Sequence, residues 1–187
     1  GGNDKGTFSS SLGYYSEDGQ IISTNYKRVN GTINGSYKLL PVLTVNAGGS
    51  FSWSKMPDLW TYDLKSPWNG ETGEYELFYR TMSMFPTWNP WNDDGSPAAG
   101  WSNQDGNPYY WKDKLTRSTT NRKTSFNIGF ALEILPQQLF LNGNSSMYYT
   151  DHQFELFEKK YQQIGQAPNT NRNASQTNTK VFQQQHA

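Results

Sequence analysis

The chain has 187 residues, with 16 basic and 16 acidic side chains, and its zero formal charge gives no electrostatic footprint for nucleic acid. It has no cysteine, which excludes a disulfide framework and a thiolate metal site. Mean hydropathy is −0.86, and Phe, Trp and Tyr make up 16% of the residues, nearly half of the 34% that are hydrophobic. The sequence has no apolar run long enough for a transmembrane helix.

Three strands are predicted in the first third of the chain. Residues 7–15 alternate Phe, Leu and Tyr with Ser and Gly, and residues 16–20 supply Asp and Gly for a turn. Residues 21–38 and 42–55 form the next two predicted strands, with the turn between them at Pro41, because proline is excluded from a central strand. Residues 29–37 and 43–53 within these strands place apolar or small residues at odd positions, so each has one dry and one wet face there, whereas the first half of residues 21–38 is polar.

A long connection, predicted over residues 56–121, carries most of the tryptophans. Within it, residues 73–85 are predicted to form a short helix that ends before Pro86. Aromatic rings stack on sugars or on peptide side chains, so eight aromatic residues of this loop are the candidate substrate-binding residues. They are Trp60, Trp68, Trp88, Trp91, Trp101, Tyr109, Tyr110 and Trp111. The alternative for each ring is a place in the loop's own core, which would fold it as a lid.

The second half of the chain repeats the hairpin pattern around Pro136. Strands are predicted over residues 122–135 and 138–152, again with alternating apolar and polar positions. Residues 154–161 fit a continued strand or a helical turn equally well. Residues 164–187 are rich in Asn, Gln and Thr with little to bury, which predicts a mobile tail.

The two faces of these strands distinguish two classes of protein. Each apolar face covers five or six alternate positions without a charge, the length that a tilted strand needs to cross a bilayer. The opposite face is mostly Asn, Ser, Thr and Gly, which is typical of the wet lumen of a large barrel. Short turns alternating with a long loop also favour an outer-membrane barrel. The main alternative is a soluble, secreted β-sandwich that binds carbohydrate through the same tryptophans.

No catalytic or metal-binding pattern is recognisable. The acidic pair in Asp93-Asp94-Gly95 lacks the ligand spacing of an EF-hand and fits a type I turn. His152 and His186 have no partner at ligand or triad spacing. The sequence therefore predicts a binding protein that is not an enzyme and has no catalytic residue, metal or cofactor. A glycan-cleaving enzyme with paired carboxylates is a third, weaker alternative.

Several segments resemble the early barrel of the SusC/RagA family of TonB-dependent outer-membrane transporters. The resemblance extends from about Thr7 to Asp151 and concerns strands and turns, not a catalytic signature. Its segments are Gly13-Tyr14-Tyr15, Asp18-Gly19, Ile21-Ile22, Asn25-Tyr26-Lys27-Arg28, Asn34, Val45 to Ser54, Asn92-Asp93-Asp94-Gly95-Ser96, Gly106-Asn107-Pro108, Thr124 to Leu135 and Leu139 to Tyr149.

This resemblance implies a fold, a location and partners. The fold would be a barrel of about 22 strands with an N-terminal plug, of which this chain would hold about five antiparallel up-and-down strands. The location would be the outer membrane of a Gram-negative, Bacteroidetes-type cell, with the long loop and its helix on the extracellular side. Members import glycans or peptides with a SusD-like surface lipoprotein as a lid, driven by the TonB complex. The plug, TonB box and closing strand of the family are not recognisable here, so the chain is expected to be a fragment.

Overall fold

The computed structural model describes residues 1–20, 25–57, 64–65, 72–73, 85–98, 107, 109–110, 114–160 and 173–187. Within these ranges the chain forms an open antiparallel sheet of seven strands, in the order β1-β2-β3-β4-β7-β8-β9, and β5 pairs separately with β6. The strands are β1 (Gly2–Asn3), β2 (Gly6–Asp18), β3 (Asn25–Leu40), β4 (Leu43–Met56), β5 (Leu64–Lys65), β6 (Thr72–Gly73), β7 (Leu115–Leu135), β8 (Leu139–Glu158) and β9 (Asn173–His186). The predicted all-β, antiparallel up-and-down architecture is confirmed.

Two short turns lie where the sequence places them. Pro41 and Val42 connect β3 to β4, and residues 136–138 connect β7 to β8. In the second turn Gln137 adopts a positive φ of 58°, and its backbone N–H donates to Glu133 Oε1 at 2.7 Å. Both hairpins have a register shift just beside the turn, between Lys38 and Leu40 and between Glu133 and Leu135. These irregularities leave the long ladders beyond them in one continuous register.

The register puts the apolar positions of neighbouring strands on the same face, as predicted. In β3 and β4, Val29 pairs with Trp53 and Ile33 with Gly49. Gly49 in turn pairs with Phe126 of β7, and the remaining pairs continue this face from β2 to β8. We call it the apolar face. The other side, which we call the polar face, carries mainly Ser, Thr and Asn along the same strands.

The apolar face is exposed. Leu12 is 78% exposed and Ile33 54% exposed, although both lie in the middle of long strands. No second sheet packs over this face among the described residues. Other exposed apolar-face residues are Phe8, Tyr14, Tyr37, Phe51, Phe126, Ile128, Phe130, Leu141, Met147, Tyr149 and Phe182. A surface of this extent is far larger than the isolated apolar side chains usual on a soluble monomer.

Aromatic rings cover glycines of the apolar face, most closely at Gly31 and Gly143. The Phe51 ring of β4 lies over Gly31 of β3, and the Phe130 ring of β7 lies over Gly143 of β8. At either glycine, an added Cβ would fall on the ring. Glycine leaves the space that an aromatic residue of the next strand occupies, and this pairing fixes the register of the two strands.

The predicted mobile tail over residues 164–187 is wrong for its second half. Asn173–His186 forms β9, which pairs along β8, with Tyr149 opposite Phe182. The amide-rich composition does not predict a strand, since Asn and Gln have low strand propensity and few apolar residues mark the alternation. Backbone groups of β8 gain hydrogen-bond partners through this pairing, irrespective of side-chain type.

Two other boundaries differ from the sequence prediction. β7 begins at Leu115, inside the loop predicted over residues 56–121, because polar residues such as Ser118 and Thr120 do not show the alternation. β8 continues to Glu158, so the first part of residues 154–161, for which the sequence leaves a strand or a helical turn open, is a strand. Most of the helix predicted over residues 73–85 falls in residues 74–84, outside the described part, and Gly73 belongs to β6.

Candidate functional site

A compact loop lies in the connection between β4 and β7. Residues 90–98 fold back on themselves through an isolated bridge between Trp91 and Pro97. At the tip, Asn92 N–H donates to Ser96 C=O at 2.9 Å and Gly95 N–H donates to Asn92 C=O at 2.9 Å. Gly95 has a φ of 79°, a conformation that glycine adopts without steric cost. We call residues 90–98, with Asn107 and Tyr109, the aromatic knuckle.

Asp94 stabilises the tip of the aromatic knuckle. Its Oδ1 accepts hydrogen bonds from Ser96 Oγ at 2.6 Å and from Ser96 N at 2.9 Å. Both bonds favour the ionised carboxylate, so they lower the pKa of Asp94 below its usual value.

This lowered pKa predicts how the tip responds to pH. The pKa of Asp94 is lower in the folded tip than in the unfolded chain. The carboxylate therefore stabilises the tip fully above its unfolded pKa of about 3.9, and this stabilisation is lost as the pH falls through the folded pKa. Ser96→Ala should raise the pKa of Asp94 towards its ordinary value. An NMR titration of the Asp94 carboxyl carbon in the two proteins measures this. An unchanged Asp94 pKa in Ser96→Ala would contradict the proposed cause.

Asn107 connects the two ends of residues 90–98. Its side chain is fully buried, and its Nδ2 donates to the carbonyl oxygens of Pro90 and Ala98, both at 2.8 Å. Its Oδ1 accepts from the backbone N–H of Tyr109 at 3.1 Å. One amide therefore joins the start and the end of residues 90–98 and fixes the segment that carries Tyr109.

Removing this amide should open the knuckle. Asn107→Ala removes the side-chain donor to the part-buried carbonyl oxygens of Pro90 and Ala98, and we expect the local stability of the knuckle to fall by about 1 to 3 kcal/mol. Hydrogen exchange at the Ala98 amide, which donates to Pro90 C=O at 2.9 Å, measures that opening. The control is Asn89→Ala, since Asn89 Oδ1 accepts from Trp91 N–H at an exposed position and should cost at most about 1 kcal/mol. Equal protection of Ala98 in all three proteins would contradict the role of Asn107.

Trp91 and Tyr109 form an exposed aromatic pair on this support. Their ring centroids are 5.0 Å apart at an interplanar angle of 38°. Trp91 is 42% exposed and Tyr109 45% exposed, so both rings offer apolar surface to a ligand. The structure therefore brings together two of the eight residues predicted to bind substrate.

The remaining predicted residues divide into two groups. Trp88 and Tyr110 are half-buried, and Lys114 Nζ lies 5.4 Å from the centre of the Tyr110 ring. Trp60, Trp68, Trp101 and Trp111 lie outside the described residues. Sequence reasoning assigned no site role to Asn107. The signal for it was slight, since Asn107-Pro108 reads as ordinary turn composition.

The polar face offers a second set of binding groups. Hydroxyl pairs bridge neighbouring strands, with Ser11 Oγ 2.7 Å from Thr32 Oγ1 and Ser50 Oγ 2.7 Å from Ser125 Oγ. Near one end of the face, His152 Nδ1 lies 2.6 Å from Asn121 Oδ1. Hydroxyl and amide groups both donate and accept, so they can exchange hydrogen bonds with a polar solute.

No group of three or more His, Cys, Asp or Glu side chains in the described ranges could hold a metal ion. In those same ranges, no helix combines the length and the apolar character of a membrane span. No protein-family model matches the sequence, and no curated protein matches it.

Proposed function

We propose that this chain is part of the transmembrane barrel of an outer-membrane transporter of the SusC/RagA type, which imports glycans or peptides. The observation that supports this most is the exposed apolar face, because lipid is the partner that such a face needs when no second layer covers it. Transport here is non-covalent binding and passage, without a catalytic step.

The dimensions of the apolar face agree with a membrane span. In β4 the apolar and small positions run from Leu43 to Trp53. Ten residue steps at 3.3 Å are about 33 Å along the strand, which a tilt of about 40° reduces to a height of about 25 Å. That height is close to the apolar band of outer-membrane barrels.

The polar face and the aromatic knuckle have separate roles in this proposal. The Ser, Thr and Asn side chains line the lumen or contact the plug, and the knuckle lies on the extracellular side near the substrate and a SusD-like lipoprotein. The TonB complex acts through parts of the transporter outside this chain. Trp91 and Tyr109 provide stacking for a sugar ring or an apolar peptide side chain.

The alternative is the secreted carbohydrate-binding sandwich. It requires that residues such as Val29, Ile33 and Phe126 meet residues of a second layer in a core. In the structure Val29 and Ile33 share one face with Phe126, and Ile33 and Phe126 are exposed. This arrangement favours the barrel.

Adjacent residues of β4 provide the test. Asn46 and Ala47 are both exposed and lie on opposite faces, and the chain has no cysteine of its own to compete for a label. We expect a fluorophore on Ala47→Cys of the intact membrane protein to be quenched by brominated lipid. The same fluorophore on Asn46→Cys should be quenched by aqueous acrylamide. Protein in the culture medium, or a label on Ala47→Cys that lipid does not quench, would contradict the barrel.

The aromatic knuckle makes a separate prediction about substrate. Trp91→Ala removes one stacking surface and should weaken binding of the imported glycan or peptide about tenfold. Trp91→Phe keeps a ring and should retain most of the affinity. Titration calorimetry of the purified transporter with oligosaccharide and oligopeptide mixtures measures both. Equal affinity in the unchanged protein and in both variants would show that Trp91 does not bind substrate. It would not contradict the proposed barrel.

A further inference from the structure

Three basic residues cluster where the apolar face ends. Lys27 of β3 pairs directly with Lys55 of β4. Lys55 is also a diagonal neighbour of Arg122, since Trp53 pairs with Arg122 and Lys55 with Thr120. All three side chains are exposed and lie on the apolar face. Lys27 and Lys55 lie two residues beyond Val29 and Trp53, the last apolar row, and Arg122 lies beside Trp53 in that row. We call Lys27, Lys55 and Arg122 the basic cluster.

The two lysines are unfavourable neighbours in the absence of an anion. Like charges directly opposite on adjacent strands repel, because their Cβ atoms are about 5 Å apart. Neither lysine has an ion-pair partner among the residues that the structure describes. Asp18 of β2 is a diagonal neighbour of Lys27 on the same face, since Ser16 pairs with Lys27 and Asp18 with Asn25. Within the basic cluster, the ion pair among the described residues is that of Arg122 with Asp151. This arrangement suits an external anion.

Arg122 is partly neutralised but still has donors to offer. Its Nη1 donates to Asp151 Oδ2 and to Gln153 Oε1, both at 3.0 Å. The side chain remains 45% exposed, and a guanidinium has five N–H donors in all. Arg122 can therefore hold Asp151 and still face a bound anion.

Below the cluster the same face becomes apolar and aromatic. The row next to Lys27 and Lys55 contains Tyr14, Val29 and Trp53. Tyrosine and tryptophan prefer the headgroup level of a membrane, where one end of the ring is apolar and the other end is hydrated. Cations above such a row match a negatively charged headgroup, and the apolar residues below match its acyl chains.

We propose that the basic cluster binds the phosphate headgroup of an anionic membrane lipid, with the acyl chains lying along Val29, Trp53 and the rest of the apolar face. This inference rests on the proposed function, since it requires the apolar face to contact lipid. The occupant is a lipid and not free phosphate, because the cluster adjoins an exposed apolar surface that inorganic phosphate would leave uncovered.

Two single-cysteine labels separate this inference from the barrel itself. Ser10 lies on the apolar face beside Ile33, and Ser16 lies on the same face beside Lys27. The intact protein, with a fluorophore on Ser10→Cys or Ser16→Cys, is placed in phosphatidylcholine vesicles. Each receives brominated phosphatidic acid or brominated phosphatidylcholine with the same chains. We expect both lipids to quench Ser10→Cys equally, and phosphatidic acid to quench Ser16→Cys at a much lower mole fraction.

The variants then identify the cations. Lys27→Gln and Lys55→Gln should each weaken the preference for phosphatidic acid at Ser16→Cys about fivefold, and the double variant about 25-fold. The matched control is Lys123→Gln, an exposed lysine one residue from Arg122 but on the polar face, which should keep the full preference.

Four results would overturn the inference, and one of them also refutes the proposed function on which it rests. Equal quenching of Ser16→Cys by the two lipids, or an unchanged preference in the double variant, refutes the headgroup site and leaves the barrel standing. Loss of the preference in millimolar inorganic phosphate identifies a general phosphate site and refutes the lipid assignment. Failure of both lipids to quench Ser10→Cys refutes the membrane contact itself, and with it the proposed function.

Discussion

Ile33→Arg is expected to destabilise the protein in a lipid bilayer by about 2 to 4 kcal/mol. Ile33 lies in the middle of β3 on the apolar face, between Ser10 of β2 and Gly49 of β4. It is 54% exposed, so in water the same change would fall within the roughly 0.5 kcal/mol usual at a surface position. A large cost therefore reports contact with lipid. Urea titration of the protein in vesicles, followed by tryptophan emission, measures the free energy of unfolding.

The control for Ile33→Arg is Ser9→Arg. Ser9 pairs with Asn34, the residue after Ile33, so it lies at a similar height but on the polar face, and it is exposed. An arginine there meets water in the lumen of the proposed barrel and should cost less than about 1 kcal/mol. Equal free energies of unfolding for the two arginine variants would refute the assignment of the two faces.

Gly31→Ala is expected to cost about 1 to 3 kcal/mol, although alanine is usually better than glycine in a strand. The added methyl group would lie where the Phe51 ring covers Gly31, so the ring or the strand must shift. In a Phe51→Ala background this obstacle is gone. There Gly31→Ala should be neutral or stabilise by up to about 1 kcal/mol. The double-mutant cycle, measured by urea titration, isolates the coupling between the two residues.

Gly35→Ala is the matched control for this cycle. Gly35 lies on the same strand and face as Gly31, but the nearest atom to an added Cβ is Thr7 O at 3.6 Å, an ordinary contact. The methyl group therefore fits without displacing a neighbour, and we expect no loss of stability. A coupling energy near zero between Gly31 and Phe51, or an equal cost at Gly35, would show that ring coverage does not set the register.

The strands of the hairpins could be predicted from sequence because side-chain alternation and turn chemistry agree there. Pro41 and Pro136 mark the turns, and the ladders on either side of each turn follow from the alternation. β9 could not be predicted, because pairing with the edge of β8 is a tertiary effect and Gln and Asn do not signal it. The polar start of β7 likewise lacks the alternation that indicates a strand.

The candidate site was predictable in residue type but not in arrangement. Aromatic residues in a long loop predict ligand stacking, which stays a prediction, and the structure places the Trp91 and Tyr109 rings side by side. Their proximity depends on Asn107, which reaches two carbonyl oxygens across the knuckle. Such a contact joins residues far apart in sequence, and no local sequence pattern predicts it. The basic cluster likewise appears only when the register places Lys27 opposite Lys55.

The pairing of β4 with β7 has a consequence for the order of assembly. Every other neighbouring pair in the large sheet is joined by a far shorter connection, whereas residues 57–114 separate these two strands. Closing that loop costs about 3 kcal/mol more entropy than closing a two-residue turn. The β2-β3-β4 and β7-β8 units should therefore form independently and join late. The Ser50 to Ser125 hydrogen bond lies at this joint, so its removal should slow the joining of two preformed halves while each hairpin forms at its normal rate.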